Sequence, residues 1–140
     1  MKVPILQKGS TLLTSFQDDL TDRDALRLQM DLLENIDEIG ASSVILDVSC
    51  MIMIDSYQAR LISETAAMAR LLGCEVVLSG VQPKVAISLV ELGGSISGVV
   101  NALSVEEGMT FLNKLEEKKN FDGSQILNDE KPLDDAVEPQ

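Results

Sequence analysis

Two adjacent residues, Asp55 and Ser56, have the side-chain types and the position best suited to chemistry in this sequence. They stand between an apolar loop and a periodic pattern that predicts a helix from about Asp55 to Leu72. Aspartate is a favoured N-cap because its carboxylate accepts hydrogen bonds from free N–H groups of the first turn, and Gln58 can return such a bond. Ser56 is then the first helical residue, and we expect its hydroxyl to be exposed and open to phosphorylation.

A phosphate on Ser56 would add about 1.5 to 2 negative charges at the positive end of the helix dipole. The dipole stabilises an exposed anion there by about 0.3–1 kcal/mol, and the Asp55 carboxylate opposes it by a comparable amount. We therefore expect phosphorylation to change the fold little and to act on a partner that docks at this helix end. The predicted docking residues are Met53 in the loop and, on the outer helix face, Tyr57, Arg60 and Glu64.

Several kinds of catalytic and metal site are excluded by composition. The chain has no histidine, so neither a Ser-His-Asp nor a Cys-His unit can be assembled. Its two cysteines, Cys50 and Cys74, lack zinc-binding spacing and are expected to be buried thiols. Asp47 lies within an apolar run, and the first predicted strand ends without the acidic residues that a magnesium-binding receiver domain needs. We predict no catalytic residue, no metal and no cofactor.

Charge and length restrict the partners and the location. The 140 residues carry a formal net charge of −12, which disfavours binding to nucleic acid or to an anionic membrane surface. Hydrophobic residues make up 45% of the chain and aromatic residues only 3%, so an aliphatic core is expected. We see no signal peptide and no apolar run long enough to span a bilayer, and we predict a cytoplasmic protein.

Hydrophobic patterning predicts an α/β domain with the element order β-β-α-β-α-β-α-β-α. Glycine between the first two apolar runs predicts an antiparallel hairpin, and the strand–helix–strand run around Ser56 requires parallel pairing with a right-handed crossover. The result is a mixed β-sheet with about four packed helices. The predicted strands are Val3–Gln7, Thr11–Phe16, Val44–Val48, Glu75–Ser79 and one within Ile96–Ala102; the predicted helices lie between Thr21 and Gly40, at Asp55–Leu72, at Gln82–Leu92 and from Ser104 to about Lys119.

The chain divides in composition near residue 119. Residues 1–119 carry all of the periodic apolar patterns and are predicted to form one domain. Residues 120–140 are acidic, rich in turn formers and without period, so we predict a disordered tail there.

The order of these features resembles a known family. An antiparallel hairpin, a capped helix, the sequence VILDVS and a loop ending in Ile54-Asp55-Ser56 at a helix start resemble the STAS domain of anti-sigma-factor antagonists. The resemblance covers residues 3 to about 118. It implies the STAS fold, and it implies that Ser56, next to Asp55, is the serine phosphorylated by a cognate anti-sigma-type serine kinase.

The residues after Ser56 narrow the resemblance. Free antagonists of the family continue with a hydroxyl residue and a glycine, whereas this chain continues with Tyr57 and Gln58. An aromatic residue directly after the serine looks more like the stressosome branch of the family. That likeness implies a scaffold in a homo- and hetero-oligomeric assembly with sensor-bearing STAS paralogues. It also implies that the assembly sequesters a serine/threonine switch kinase, that phosphorylation of the serine releases the kinase, and that a PP2C-type phosphatase resets the serine.

Two alternatives remain open from the sequence. The chain could be a free antagonist that binds an anti-sigma kinase by partner switching. It could also be a small-ligand carrier or enzyme with a pocket at the carboxyl ends of the parallel strands. The residues that would line such a pocket are Val48-Ser49, Ser79-Gly80 and Ser56.

Overall fold

A computed structural model describes residues 3–93 and 96–137 of the chain, with side chains described up to residue 121. The described elements follow the predicted order. The strands are β1 (Leu6–Lys8), β2 (Thr11–Ser15), β3 (Ser43–Asp47), β4 (Glu75–Ser79) and β5 (Val100–Ala102); the helices are α1 (Asp22–Ile39), α2 (Ser56–Leu71), α3 (Pro83–Leu92) and α4 (Val105–Val137).

The five strands form one mixed sheet in the order β1-β2-β3-β4-β5. β1 pairs with β2 antiparallel through the turn at Gly9, whose φ is 61°, and the remaining neighbours pair in parallel. Each crossover advances one strand in the same direction, so right-handed connections put α1, α2 and α3 on one face of the sheet. The predicted α/β fold with an antiparallel N-terminal hairpin is confirmed.

The central strands are buried on both faces, as their continuous apolar character predicts. Val44, Leu46, Val76 and Leu78 join the core beneath the first three helices. Ile45 and Val77 are also fully buried, and a side chain placed on Gly108 at the start of α4 would touch both. The strand that precedes the Asp55-Ser56 loop is therefore fixed from both sides.

A buried polar contact joins α1, which precedes β3, to α2, which follows the loop. Gln29 of α1 donates from Nε2 to Thr65 Oγ1 of α2 at 2.9 Å, and the Thr65 hydroxyl donates to the Leu61 carbonyl at 2.6 Å. Both side chains are buried. The Thr65 hydroxyl both accepts and donates, so this buried contact orients α2 relative to α1.

The first strand is shorter than predicted, and the last lies where it was predicted. β1 begins at Leu6 rather than Val3, since Pro4 has no N–H to contribute to a ladder. β5 lies within the predicted range at Val100–Ala102, and the residues before it form a turn that joins the Val99 N–H to the Ile96 carbonyl at 3.2 Å, with a φ of 81° at Gly98.

The last helix ends later than predicted. α4 runs from Val105 to Val137 instead of ending near Lys118-Lys119. The helix thus enters the segment for which we predicted disorder. The boundary of the domain at residue 119 stays a prediction.

The chain forms two compact units, Met1–Met109 and Thr110–Gln140. The first contains the whole sheet, and the described part of the second is the continuation of α4. None of the helices in the described part of the chain combines the length and apolar character that a membrane span requires. The described residues also contain no group of three or more acidic or cysteine side chains able to hold a metal ion.

Candidate functional site

The start of α2 is closed by a capping box. The Gln58 N–H donates to the Asp55 carboxylate at 2.7 Å, and the Gln58 side-chain oxygen accepts from the Asp55 N–H at 3.0 Å. Asp55 has extended backbone angles and stands just before the first helical residue. Its carboxylate is therefore occupied by the helix, as the sequence pattern indicated.

Ser56 is the first residue of α2 and is exposed. Among the hydrogen bonds of the described residues, none involves its hydroxyl. The helix dipole and the free N–H groups of the first turn favour negative charge at this point. The side chain is thus accessible at a helix start where negative charge is favoured.

The two faces of α2 separate as predicted. Arg60 and Glu64 are exposed on the outer face, and no ion pair joins them among those formed by the described side chains. Tyr57 is only half exposed, because its ring packs against the core. The opposite face is fully buried and consists of Ala59, Ile62, Ala66 and Ala69.

The loop before the cap is part anchor and part exposed surface. Met51 and Ile54 are buried, whereas Ile52 and Met53 expose 59% and 64% of their surface. Two adjacent exposed apolar side chains on a loop are a feature of binding surfaces. The predicted docking residue Met53 is thus available to a partner, beside Ser56 in sequence.

The two cysteines differ. Cys50 is exposed in this loop, so the prediction that it is buried is wrong. The loop buries the side chains of Met51 and Ile54 in the core, and the neighbouring Cys50 side chain stays at the surface. Cys74 is buried as predicted, and its thiol donates to the Ala41 carbonyl at 3.2 Å. Burial raises the pKa of the Cys74 thiol above its usual value.

A carboxylate fixes the base of the loop to the neighbouring strand. Asp47, the last residue of β3, accepts from the Ser49 hydroxyl at 2.8 Å through one oxygen and from the Ser79 hydroxyl at 2.8 Å through the other. The Val48 N–H adds a backbone bond to the Ser79 carbonyl at 2.9 Å. Hydrogen bonds to a charged acceptor are about twice as strong as neutral ones, so this base is well held.

The loop between β4 and α3 contributes the next contacts. Gln82 donates from Nε2 to the Ser49 carbonyl at 2.9 Å. A Cβ on Gly80 would come within 2.5 Å of the Ser49 Cβ, and Gly80 has a φ of 71°, so only glycine fits this approach. The sheet edge therefore carries two loops in direct contact.

The hydrogen bonds to Asp47 use two of the serine hydroxyls that were predicted to line a ligand pocket. Ser49 and Ser79 do come together at the carboxyl ends of the strands, but both hydroxyls are donated to Asp47. Ser56 takes part in none of the bonds that the described residues form there. A groove of about 160 Å³ reaches Asp47 from the side of β1 and β2, and one of about 320 Å³ lies between Gly80 and β5. Both are open at the surface, and neither includes Ser56.

The sequence matches the model of the STAS domain over residues 2–104, about three quarters of the chain. This chain belongs to the STAS domain family. The matched segment contains the sheet, the first three helices and the capped start of α2. Ser56 of this chain thus begins the second helix of a STAS domain.

Two solved structures are similar over nearly their full length. A serine-to-glutamate variant of RsbS from Moorella thermoacetica aligns with a TM-score of 0.76 and 30% identity, covering 84% of this chain and 99% of that one. A chain from the structure of the stressosome, described as a signal integration and transduction hub, aligns with a TM-score of 0.73 and 31% identity, covering 81% and 98%. The fold of this STAS domain is therefore that of stressosome proteins.

A curated relative extends the same likeness. RsbRA of Bacillus subtilis (strain 168), an RsbT co-antagonist protein, is 24% identical over 95 residues. The aligned region is 68% of this chain and 35% of that protein. This chain thus spans about a third of the length of the curated relative that it matches.

Sequence reasoning missed the contacts that hold the loop. In the sequence Asp47 lies within an apolar run and Gln82 at the start of a predicted helix, and neither position indicates a contact with the loop. One signal was available: glutamine is not among the preferred N-cap residues, and Gln82 in fact makes no side-chain cap bond. An N-cap position occupied by a residue that caps weakly leaves that side chain available for a contact with another part of the chain, as Gln82 makes with Ser49.

Proposed function

We propose that this STAS domain is a non-enzymatic stressosome-type scaffold, switched by phosphorylation of Ser56. Unphosphorylated, it assembles with STAS-domain sensor paralogues and holds a serine/threonine switch kinase. The kinase transfers the γ-phosphoryl group of ATP to the Ser56 oxygen and is then released. A PP2C-type phosphatase removes the phosphate and restores the binding state.

One observation carries this proposal: an exposed, unbonded Ser56 begins a capped helix in a chain that aligns with RsbS and stressosome structures. The Asp55 carboxylate accepts the hydrogen bond that caps the helix, so the helix does not need the Ser56 hydroxyl for its cap. Phosphorylation adds about 1.5 to 2 negative charges where the helix can accept them. The energetic effect falls on whatever is docked there, since a partner must desolvate or repel the new charge.

The surroundings of Ser56 support a protein partner. Ile52 and Met53 are exposed apolar side chains on one side of the serine, and Arg60 and Glu64 are exposed charges on the other. Tyr57 lies between them with part of its ring accessible. An apolar centre with charged residues at its edge is typical of protein interfaces. We assign Met53, Tyr57, Arg60 and Glu64 to the kinase-binding surface.

A separate apolar surface supports assembly with other STAS domains. The outer side of α3 exposes Ile87 and Val90, the latter by 75%. These side chains are three residues apart, so they lie on the same face of the helix. Exposed apolar residues that are grouped in this way mark association surfaces.

Phosphate incorporation tests the switch. The chain and its Ser56→Ala variant are incubated with ATP and the anti-sigma-type serine kinase encoded in the same genome, and intact mass and peptide mapping are recorded. We expect one phosphate on the chain, located at Ser56, and none on the variant. Subsequent addition of a PP2C-type phosphatase returns the original mass.

A chain that stays unmodified with a kinase active on another STAS substrate contradicts the proposal. So does incorporation that persists in Ser56→Ala, because the phosphate would then be elsewhere.

A further inference from the structure

Gln82 lies 26 positions after Ser56 but contacts the loop that presents it. As the N-cap residue of α3 it could bond the free N–H groups of that helix, yet it makes no side-chain cap bond. Its Nε2 instead donates to the Ser49 carbonyl at 2.9 Å. The side chain thus serves the loop between β3 and α2 and leaves its own helix uncapped.

Ser49 is held by two further contacts, one of which continues to Ser79. Its hydroxyl donates to Asp47 at 2.8 Å, and Asp47 also accepts from the fully buried Ser79. Gly80 presses against it so closely that a Cβ there would lie 2.5 Å from the Ser49 Cβ. The side chains of Asp47, Ser49, Ser79 and Gln82, which we name the loop clamp, therefore join two loops at one edge of the sheet.

The segment from Ser49 to Asp55 is held at both ends. The loop clamp holds it at Ser49, and the helix cap holds it at Asp55. Between them lie the exposed Ile52 and Met53, with the buried Met51 and Ile54 on either side. The Ile54 carbonyl also receives the Ser88 hydroxyl of α3 at 3.5 Å. The exposed pair and Ser56 are thus presented in one arrangement that depends on both loops.

We propose that Gln82 and Ser49 are positioning residues for Ser56: the loop clamp holds the segment before the serine in the conformation that the switch kinase accepts. This inference rests on the proposed phosphorylation of Ser56. A preorganised loop costs less entropy to dock than a free one, so the loop clamp lowers the KM of the phosphorylation. It does not touch the reacting atoms, so kcat depends on it little.

The position of Gln82 allows a test in which stability and positioning change in opposite directions. Serine is a favoured N-cap residue but is too short to replace the Gln82 amide at the Ser49 carbonyl. We expect Gln82→Ser to keep or raise Tm, because α3 gains a cap. At the same time we expect its KM for phosphorylation by the switch kinase to rise about 3- to 10-fold, with kcat within about twofold.

Ser49→Ala removes the hydroxyl bond to Asp47 and keeps the carbonyl that Gln82 contacts, and it should also raise KM because the loop clamp loses one of its bonds. The matched control is Ser42→Ala, which removes an exposed hydroxyl pair with Ser10 at 2.7 Å at the opposite end of β3. We expect its KM to equal that of the unaltered chain. Amide hydrogen exchange of residues 49–55 gives a readout without kinase, and it should speed up in Gln82→Ser and Ser49→Ala only.

The outcomes separate this inference from the proposed function. If the unaltered chain is phosphorylated at Ser56 and Gln82→Ser keeps its KM and its hydrogen exchange, the positioning role is overturned and the switch stands. If KM rises equally in Ser42→Ala, the effect is general and the positioning role is also overturned. If the unaltered chain takes no phosphate at Ser56, both proposals fall together.

Discussion

Asp55 and Ser56 are neighbours in sequence with different relations to the helix that they begin. Asp55 is bonded in both directions with Gln58, and Ser56 has an exposed hydroxyl outside that exchange. The helix needs the first residue for its stability and leaves the second free. Mutations at the two positions should therefore affect different properties.

We expect Asp55→Ala to destabilise the chain by about 0.5–2 kcal/mol, because the Gln58 N–H loses its acceptor at the helix start. Urea unfolding followed by circular dichroism measures the change. The control is Glu64→Ala on the exposed face of the same helix, for which we expect a change within about 0.5 kcal/mol. Equal unfolding curves for Asp55→Ala and the unaltered chain would show that the cap adds no stability.

The cysteines provide a second comparison of single residues. We expect a thiol reagent at pH 8 to modify Cys50 within the mixing time of a manual assay and to leave Cys74 unmodified while the chain is folded. Cys74 is buried, and burial raises the pKa of its thiol, which keeps the reactive thiolate scarce. Mass spectrometry counts the adducts. Rapid modification of both residues under native conditions would contradict the burial of Cys74.

The raised pKa of the Cys74 thiol also makes the free energy of unfolding depend on pH. In the unfolded chain the thiol ionises at a lower pH than in the folded chain, so the unfolded state loses its proton first. This contribution to stability is complete below the unfolded pKa and is lost as the pH rises through the folded pKa. The loss therefore lies on the alkaline side of neutrality.

The elements around Ser56 were predictable to different degrees. The start and end of α2 follow from local signals, namely Asp55, Gln58 and Gly73, and local signals are present in the sequence itself. The loop clamp joins residues that are more than 30 positions apart, such as Asp47 and Ser79, and no periodicity reports a contact of that kind. The exposure of Cys50 was missed for the same reason, because it depends on which loop residues the core takes in.

The contact between α1 and α2 depends on one pair of polar side chains. We expect Thr65→Val to destabilise the chain by about 1–3 kcal/mol, since the buried Gln29 amide loses its acceptor while the volume of the side chain is retained. Thermal or urea unfolding checks this. Ser42→Ala, which removes an exposed hydroxyl contact, is the control and should stay within about 0.5 kcal/mol. Should Thr65→Val be as stable as the control, the buried pair would not hold the helices together.

The chain has the sheet and helices of a STAS domain, and the order of its elements along the chain follows from hydrophobic periodicity and turn signals. The order of the strands within the sheet was not predicted, because no local signal in the sequence reports which strands are neighbours. The last helix was not foreseen beyond residue 119, because an acidic composition with scattered turn formers gives no periodic signal. The difference between a scaffold and a free antagonist lies in assembly, which the single chain does not display.

Sizing distinguishes those two functions. We expect the chain mixed with the sensor-bearing STAS paralogues encoded in the same genome to elute as an assembly many times the mass of either component, measured by size-exclusion chromatography with light scattering. The exposed Ile87 and Val90 of α3 provide an apolar surface for such contacts. We expect Val90→Glu to reduce the assembled fraction, and Ala67→Glu, at an exposed position of α2, serves as the control for an added charge. A mixture that remains monomeric or dimeric would favour the free antagonist.

The affinity of the switch kinase for the chain before and after phosphorylation of Ser56 tests the central claim most directly. Calorimetric titration compares the unmodified chain, the stoichiometrically phosphorylated chain and Ser56→Asp, with circular dichroism to verify that all three are folded. We predict that the kinase binds the unmodified chain and that affinity falls by at least about tenfold for the other two, because a docked partner must desolvate the new charge. Equal affinity for the unmodified and phosphorylated chains, with the fold retained, would contradict the switch.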